Sequence, residues 1–545
     1  MERMDLRAAT AIALLSAAFL FVGLGRYGVV NGDEGIYHAI AERMVETGDL
    51  LHLDFRGEER VYDAFMNAPL HYWARAALIA GFGSNLFTMR ALSALFGVLC
   101  VLATYALGCR LAGRRAGLFS ALVLLTTWQF VYLHGARTGE LDTLASFLVV
   151  AACLSFLRAV RDERSFWPHH LLLAALLMTK LPLVAVPVLA ELLWLARHPG
   201  DARQLPRYLR TGLLLLPFAL LWHGTQAVLQ REHVGSVLAT MFGQASGARV
   251  TDAPDLGIAG NARFYAATLL YGALPWAAAY PFAALAALRA GGRGRRVALL
   301  WAAVVLIFFC VVSKHFPWYV LPAYPFLSIL VGVWLADLLD RDARWTGWGI
   351  GAVAVTLLWI GIDFGADPFA QRALVIPMQW LPRHWLGLAP ATAIALLGAI
   401  WAGLWTLSGE SLPAAWRRAV RSAFVVALLL YAGVRAAAPL AYLDHQSPLD
   451  RIHRQLYAAR KAGKPLDYPI RLGVAPPQIA RFLFGEDFEI VPRAAPRGTA
   501  LLLYPRGDPK VLAQSIGRAG LEYRFAQARR RSEAPPQGPT SSPPR

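Results

Sequence analysis

The sequence predicts an α-helical polytopic membrane protein carrying a small C-terminal α/β domain, and three observations support this. Hydrophobic residues make up 57% of the 545 positions and charged residues 16%, with a mean hydropathy of +0.44. The apolar residues recur in runs of about 20, the length of helix that crosses a bilayer core. The net charge of +18 gathers in short loops between those runs. That pattern orients a membrane protein and attracts anionic lipid, so it is no sign of a nucleic-acid partner. Cys100, Cys109, Cys153 and Cys310 lie in or at the ends of apolar runs, and no disulfide is expected.

The basic loops set the expected topology. With Arg3 and Arg7 inside, the run 8–25 leaves the cytoplasm as an uncleaved anchor, and 26–87 forms a long outer loop. Within that loop, 37–47 is amphipathic through Ile36, Ile40, Met44 and Val45 and is closed by Gly48. The stretch 69–82 is apolar but short. Both are read as interfacial helices rather than spans. Spans follow at 88–109, at 116–133, and before the inner arginines Arg158, Arg161 and Arg164. A pair of short spans at 169–179 and 181–196 turns outside at Lys180. Further spans run over 211–229, back to 289–296, over 297–313 and back to 341–344, and two more flank an outer loop at 364–385. A last span at 422–441 exits. The expected count is about thirteen spans of about 20 residues each. The domains are then a membrane domain at 1–442, a small outer domain at 443–530 and a Pro/Ser-rich tail at 531–545 that is expected to be disordered. In the outer domain, helices are expected at 450–462 and 509–519, with strands at 470–474, 488–491 and 500–504.

The chemistry centres on Asn31-Gly32-Asp33-Glu34-Gly35-Ile36-Tyr37, just beyond the first span. A helix there places Asp33 and Tyr37 on one face. The structural alternative is a capping box between Asn31 and Glu34, with both acids favouring a helix start. Arg137, Glu140, Asp142, Lys180, Lys314 and His315 also fall at outer ends or in outer loops. Ion-coupled transporters place such groups near mid-membrane, where this chain has almost none; Glu191 comes nearest. A rim of acids and cations at one face suits a lipid-linked sugar phosphate, whose phosphate is already a leaving group. Lys314, Lys180, Arg249 and Arg137 are candidate contacts to that phosphate, with snorkelling as the alternative for the lysines. Asp33, Glu34 and Asp142 are the candidate catalytic carboxylates. Tyr37, Tyr72, Tyr319, His315 and Glu140 are candidate sugar or acceptor contacts, although aromatics at a span end also serve as interface anchors.

Several of these motifs occur in an order that resembles the GT-C superfamily of membrane glycosyltransferases, nearest the lipid A aminoarabinose transferases and the protein O-mannosyltransferases. The likeness runs over about 5–330. It passes through Gly32-Asp33-Glu34, Tyr37, Gly48-Asp49, Pro69 with Tyr72-Trp73, and 137–142. It continues through Met178-Thr179-Lys180, Leu274-Pro275-Trp276, Ser313-Lys314 and Tyr319-Val320-Leu321-Pro322. The resemblance implies an inverting transfer from a polyprenyl-phosphate sugar to an envelope lipid, glycan or protein at the outer face of the inner membrane. It also implies Asp33 as the main carboxylate and Asp142 as the second.

This chain departs from the pattern at three places. Asn67-Ala68-Pro69 replaces a Glu-Lys-Pro triplet whose lysine helps hold the lipid phosphate. Ile36 replaces an arginine, and no Glu-His pair stands near Gln244. No metal site or cofactor is therefore expected; His38, His52 and His71 have no compact ligand spacing. The alternatives are a lipid-linked glycan ligase or polymerase, and a non-enzymatic flippase or transporter.

Overall fold

The computed structural model describes residues 5–26, 32–55, 58–162, 164–235, 256–273, 275–312, 315–340 and 414–441, and short strands between 471 and 528. Ser313, Lys314 and Arg249 lie outside the described residues. So do the region around Gln244, the two expected spans around 364–385, the expected helix at 450–462 and the tail. The chain divides into two units: 1–26 with 40–443, and 27–39 with 444–545.

The described helices are α1 (Leu6–Phe21), α2 (Gly32–Thr47), α3 (Val61–Met66), α4 (Leu70–Phe82), α5 (Leu86–Ala112), α6 (Arg114–Leu125), α7 (Trp128–Tyr132), α8 (Asp142–Arg161) and α9 (Trp167–Leu177). After these come α10 (Ala185–Arg197), the single turn α11 (Pro199–Ala202), α12 (Leu205–Leu229), α13 (Gly257–Gly272), α14 (Tyr280–Ala290), α15 (Arg293–Val311), α16 (Tyr324–Asp340) and α17 (Ala414–Ala441). Among the described residues α5, α8, α12, α15 and the run Pro317–Leu339 are long and apolar enough to cross a membrane. α4 has 13 residues, about 20 Å at 1.5 Å each, which is short of the bilayer core.

The sequence sets the helix ends. Asn85 accepts from the Phe87 and Thr88 N–H groups, and Thr88 Oγ1 accepts from the Asn85 N–H, so a complete capping box starts α5. The strip of apolar residues on α5, α6, α8, α15 and α16 forms one continuous core, with Trp128, Trp276 and Trp301 fully enclosed.

Some expected spans are interrupted. The run at 116–133 breaks at Thr126-Thr127 between α6 and α7. The return run to 289–296 is divided between α13, a 3₁₀ turn at Trp276–Ala279 and α14. Other 3₁₀ segments are Leu181–Val184 and Pro317–Ala323, and Pro182 and Pro317 lie in their first turns. Proline removes a donor and blocks an α-helical turn, which accounts for breaks at these points.

In the second unit, β3 (Arg471–Leu472), β5 (Ala500–Pro505) and β4 (Phe488–Arg493) form an antiparallel sheet in the order β3-β5-β4. Its strands match the expected ones. The expected helix at 509–519 is corrected: Val511–Ile516 is a strand, β6, paired antiparallel with β7 (Tyr523–Ala528). Leu512, Ala513 and Gln514 are good helix formers, but a six-residue ladder outweighs so weak a propensity. The first unit also holds a short hairpin of β1 (Asp54–Phe55) and β2 (Glu58–Glu59).

Candidate active site

Three interruptions of helix meet around Asp142. The first is the segment between α7 and α8. Every residue from 127 to 146 is buried, although 133–141 is irregular. Buried irregular backbone needs protein partners for its polar groups. The partners are present. Ala136 N–H donates to Phe130 O and Arg137 N–H to Val131 O, each at 2.8 Å. Arg75 donates to Gly139 O, and Ser93 Oγ donates to Glu140 O at 2.7 Å. Gly135 lies against the Phe130 carbonyl, where any Cβ would collide. His134, just before it, is the one described non-glycine residue with a left-handed backbone, φ 51°.

Asp142 opens α8, where the start of a helix favours a carboxylate. Lys180 Nζ donates to its Oδ1 at 2.6 Å, and His134 Nδ1 lies 3.1 Å from Oδ2. The second interruption, between α9 and α10, supplies Lys180. Its backbone is tied to Leu176 O, and Leu70 N–H at the start of α4 donates to Met178 O, so α4 packs on the same turn. The third interruption, Pro317–Ala323, supplies two rings. Trp318 stacks on His134 at 3.7 Å and 2°, and the Tyr319 ring centroid is 5.0 Å from Lys180 Nζ. Gln129 fixes this segment: its amide donates to Pro317 O at 2.6 Å and its oxygen accepts from Tyr324 at 2.6 Å. At the end of α15, Asn261 donates to Cys310 O and Val312 O, holding the backbone that leads to Lys314.

The structure thus brings together Asp142, Lys180 and Tyr319 from the sequence-derived set. Tyr72 is fully buried beside His71, their rings 3.8 Å apart. His71 lies within electrostatic reach of Arg75, Asp142 and Lys180, and burial first, then the Arg75 charge, holds its imidazole well below the usual histidine range. Glu140 is buried, and His315 contacts Phe264 edge to face at 5.0 Å.

Arg137 takes a different place from the phosphate contact expected of it. Its guanidinium is buried and donates to Phe19 O, Leu20 O and Val22 O at 2.6, 3.1 and 2.7 Å. A guanidinium bound to three terminal carbonyls is closing the end of α1, which no side chain of α1 itself can do. In the second unit, Asp33 and Glu34 occupy the first turn of α2; Asp33 is half-buried, while Glu34 and Tyr37 are buried. The helix does place Asp33 and Tyr37 four apart on one face.

Sequence reasoning passed over His134, Trp318 and Gln129, and weighed His71 only as a metal ligand. Only the density of polar residues in the stretch from His134 to Asp142 signalled the first. Among the described residues no group of three His, Cys, Asp or Glu side chains gathers as a metal site.

The family described as dolichyl-phosphate-mannose-protein mannosyltransferase matches residues 66–223, which includes α4, the buried segment and Lys180. An undecaprenyl phosphate-alpha-4-amino-4-deoxy-L-arabinose arabinosyl transferase of Erwinia tasmaniensis is 28% identical over 458 residues, 81% of this chain and 78% of the relative. An uncharacterized protein of Aquifex aeolicus is 25% identical over 371 residues, 66% of this chain and 70% of the relative. Among solved structures, ArnT from Cupriavidus metallidurans bound to undecaprenyl phosphate aligns with a TM-score of 0.63 at 18% identity, covering 94% of this chain and 86% of that one. The arabinosyltransferase EmbB from Mycobacterium smegmatis aligns at 0.51 and 16% identity, covering 91% of this chain and 46% of that one. Fold, family match and curated relatives agree: this chain is a polytopic membrane protein with the GT-C fold, similar to the aminoarabinose transferases and the protein mannosyltransferases.

Proposed function

We propose that the chain transfers a sugar from a polyprenyl-phosphate donor to an envelope acceptor, a lipid, glycan or protein, with inversion at the anomeric carbon. The observation that carries this reading is the largely buried Lys180–Asp142 pair, with Tyr319 beside Lys180 and Trp318 stacked on the His134 that reaches Asp142. In the reaction the bond between the anomeric carbon and the phosphate oxygen breaks, and the phosphate leaves with the electron pair. A bond from the acceptor oxygen to the same carbon forms on the opposite face, and the acceptor proton passes to a base. An ammonium has three donors, and Asp142 Oδ1 accepts one. The others are suited to the leaving phosphate, where a fixed cation stabilises developing negative charge. Asp142 and His134 keep that ammonium in place. Lys314, next along from the backbone held by Asn261, is assigned to the same phosphate. Asp33 is the proposed base, or the stabiliser of positive charge on the sugar if the acceptor is already anionic.

The undecaprenyl phosphate carried by the Cupriavidus structure and the substrate named for the Erwinia relative support a C55 lipid donor. The departures at Asn67-Ala68-Pro69 and Ile36 favour a different sugar or acceptor from aminoarabinose and lipid A. The active site is assigned to the outer face of the bacterial inner membrane, because that places the basic turns Arg114-Arg115 and 293–296 inside.

The test is purified protein in lipid nanodiscs given radiolabelled undecaprenyl-phosphate sugar and an envelope lipid extract. Release of undecaprenyl phosphate with appearance of a new glycoside of inverted configuration is expected. Movement of intact donor between leaflets with no release would make the protein a flippase and overturn the reading.

A further inference from the structure

At the end of the bundle away from Asp142, the α5–α6 turn, the start of α15 and the end of α16 line an open pocket of about 890 Å³. Its position follows from α5. Ser93, near the start of α5, bonds Glu140 beside the first turn of α8. Arg110, near its end, reaches Leu157 O and Asp162 at the far end of α8. Leu111, which lines the pocket, is therefore about 27 Å from Ser93 at 1.5 Å per residue. That distance is close to the thickness of the hydrocarbon core, so the pocket lies at the second polar rim.

Four guanidiniums line the pocket, Arg114, Arg115, Arg293 and Arg295, against one carboxylate, Asp337. Ion pairs orient several of them. Arg295 binds Asp337 at 2.8 Å, Arg114 binds Asp5, and Arg293 binds Asp201. The Arg114 and Arg293 side chains nevertheless remain 63% and 43% exposed. One turn inward from Arg114 and Arg115, Leu118 is 37% exposed and forms an apolar edge of the same pocket.

Orientation by positive charge requires only that arginines lie on one side of the membrane. It does not require them to surround a cavity. A volume of this size falls in the range of small-molecule sites. Basic guanidiniums outside and an apolar edge inside match a molecule with a phosphate at one end and acyl chains at the other. Free phosphate would have no use for the edge at Leu118.

We infer that this pocket is a binding site for the phosphate headgroup of an anionic phospholipid, with its acyl chains lying along Leu118. It is distinct from the donor site, being at the other end of α5, and it does not depend on the identity of the sugar.

The full chain, purified and delipidated in neutral detergent, is to be incubated with phosphatidylglycerol, phosphatidylcholine or inorganic phosphate. Retained lipid is then counted by native mass spectrometry and the unfolding midpoint is measured. Retention of phosphatidylglycerol and a raised midpoint are expected, with neither effect from phosphatidylcholine or inorganic phosphate. Arg115→Gln and Arg293→Gln should each weaken retention on the order of five- to tenfold, as expected for a cation near a lipid surface, while Arg115→Lys should keep most of it. Unchanged retention in both Gln variants would overturn the site, and equal stabilisation by inorganic phosphate would overturn the lipid. Should the Gln variants fail to fold, a photoactivatable phosphatidylglycerol on the wild-type chain decides. Crosslinks at 111–118 support the site, and crosslinks scattered over the bundle overturn it.

Discussion

Lys180 Nζ donates to Asp142 Oδ1 at 2.6 Å across 38 positions of sequence, with the two side chains only 16% and 8% exposed. Two charges so shielded tolerate each other's loss poorly. Removing one partner leaves an uncompensated charge, costing about 3–5 kcal/mol. Lys180→Met and Asp142→Asn are each expected to lower the unfolding midpoint and to reduce transfer by about 100-fold or more. The double variant should be little worse than the poorer single one. Additive losses in both readouts would show that the two residues act separately.

His134 reaches the same carboxylate while stacked on Trp318. His134→Phe keeps the stack and loses the hydrogen bond, a change of about 1 kcal/mol or more for a charged acceptor. Transfer is expected to fall about tenfold, since 1.4 kcal/mol is a factor of ten, together with a modest fall in the unfolding midpoint from the lost bond and from Phe in a left-handed backbone. A fall in midpoint without a fall in turnover would restrict His134 to packing.

Asp33, half-buried in the first turn of α2, is expected to lose turnover by about 100-fold or more as Asp33→Asn, with donor affinity little changed. If the acceptor brings a hydroxyl, the acid limb of the pH–rate profile should disappear in the variant. If the acceptor brings a phosphate, the wild type should lack that limb from the start. Near-normal turnover in folded, inserted protein would return Asp33 to a capping role.

The depressed His71 imidazole gives a stability prediction with a definite sign. The folded chain keeps His71 neutral, while the unfolded chain takes up a proton near pH 6.5. Only the unfolded state gains that proton, so stability is lost as pH falls through the unfolded value. The unfolding midpoint should decline from pH 7 to 5, and His71→Gln should flatten the decline. A variant profile parallel to the wild type would remove His71 as the cause.

Gly272 ends α13 against the Gln129 side chain, where an added Cβ would collide with the amide oxygen and lie 3.1 Å from Gln129 Cβ. Gln129 has little room to yield, being held by Pro317 and Tyr324. Gly272→Ala is therefore expected to destabilise by about 1–3 kcal/mol, the usual range for overpacking. It should also disturb the segment carrying Trp318 and Tyr319, lowering transfer more than Gly81→Ala, where space is open. Equal activity in the two variants would show that Gln129 does not support the site.

The sequence by itself determined the membrane class, the short helix at 70–82 and the strands at 488–493 and 500–505, and it singled out Asp142 and Lys180 as candidates. These rest on local quantities: the length of an apolar run, the alternation of a strand, or a charge that burial alone would make costly. Only the tertiary structure decided that Lys180 meets Asp142, that His134, stacked on Trp318, reaches the same carboxylate, and that Arg137 closes α1 from 115 to 118 positions away. It also turned Val511–Ile516 into a strand. The reason is the same in each case. A helix break, a buried irregular segment or a paired strand is stabilised by partners far along the chain, and no local pattern of residues records which partner will arrive.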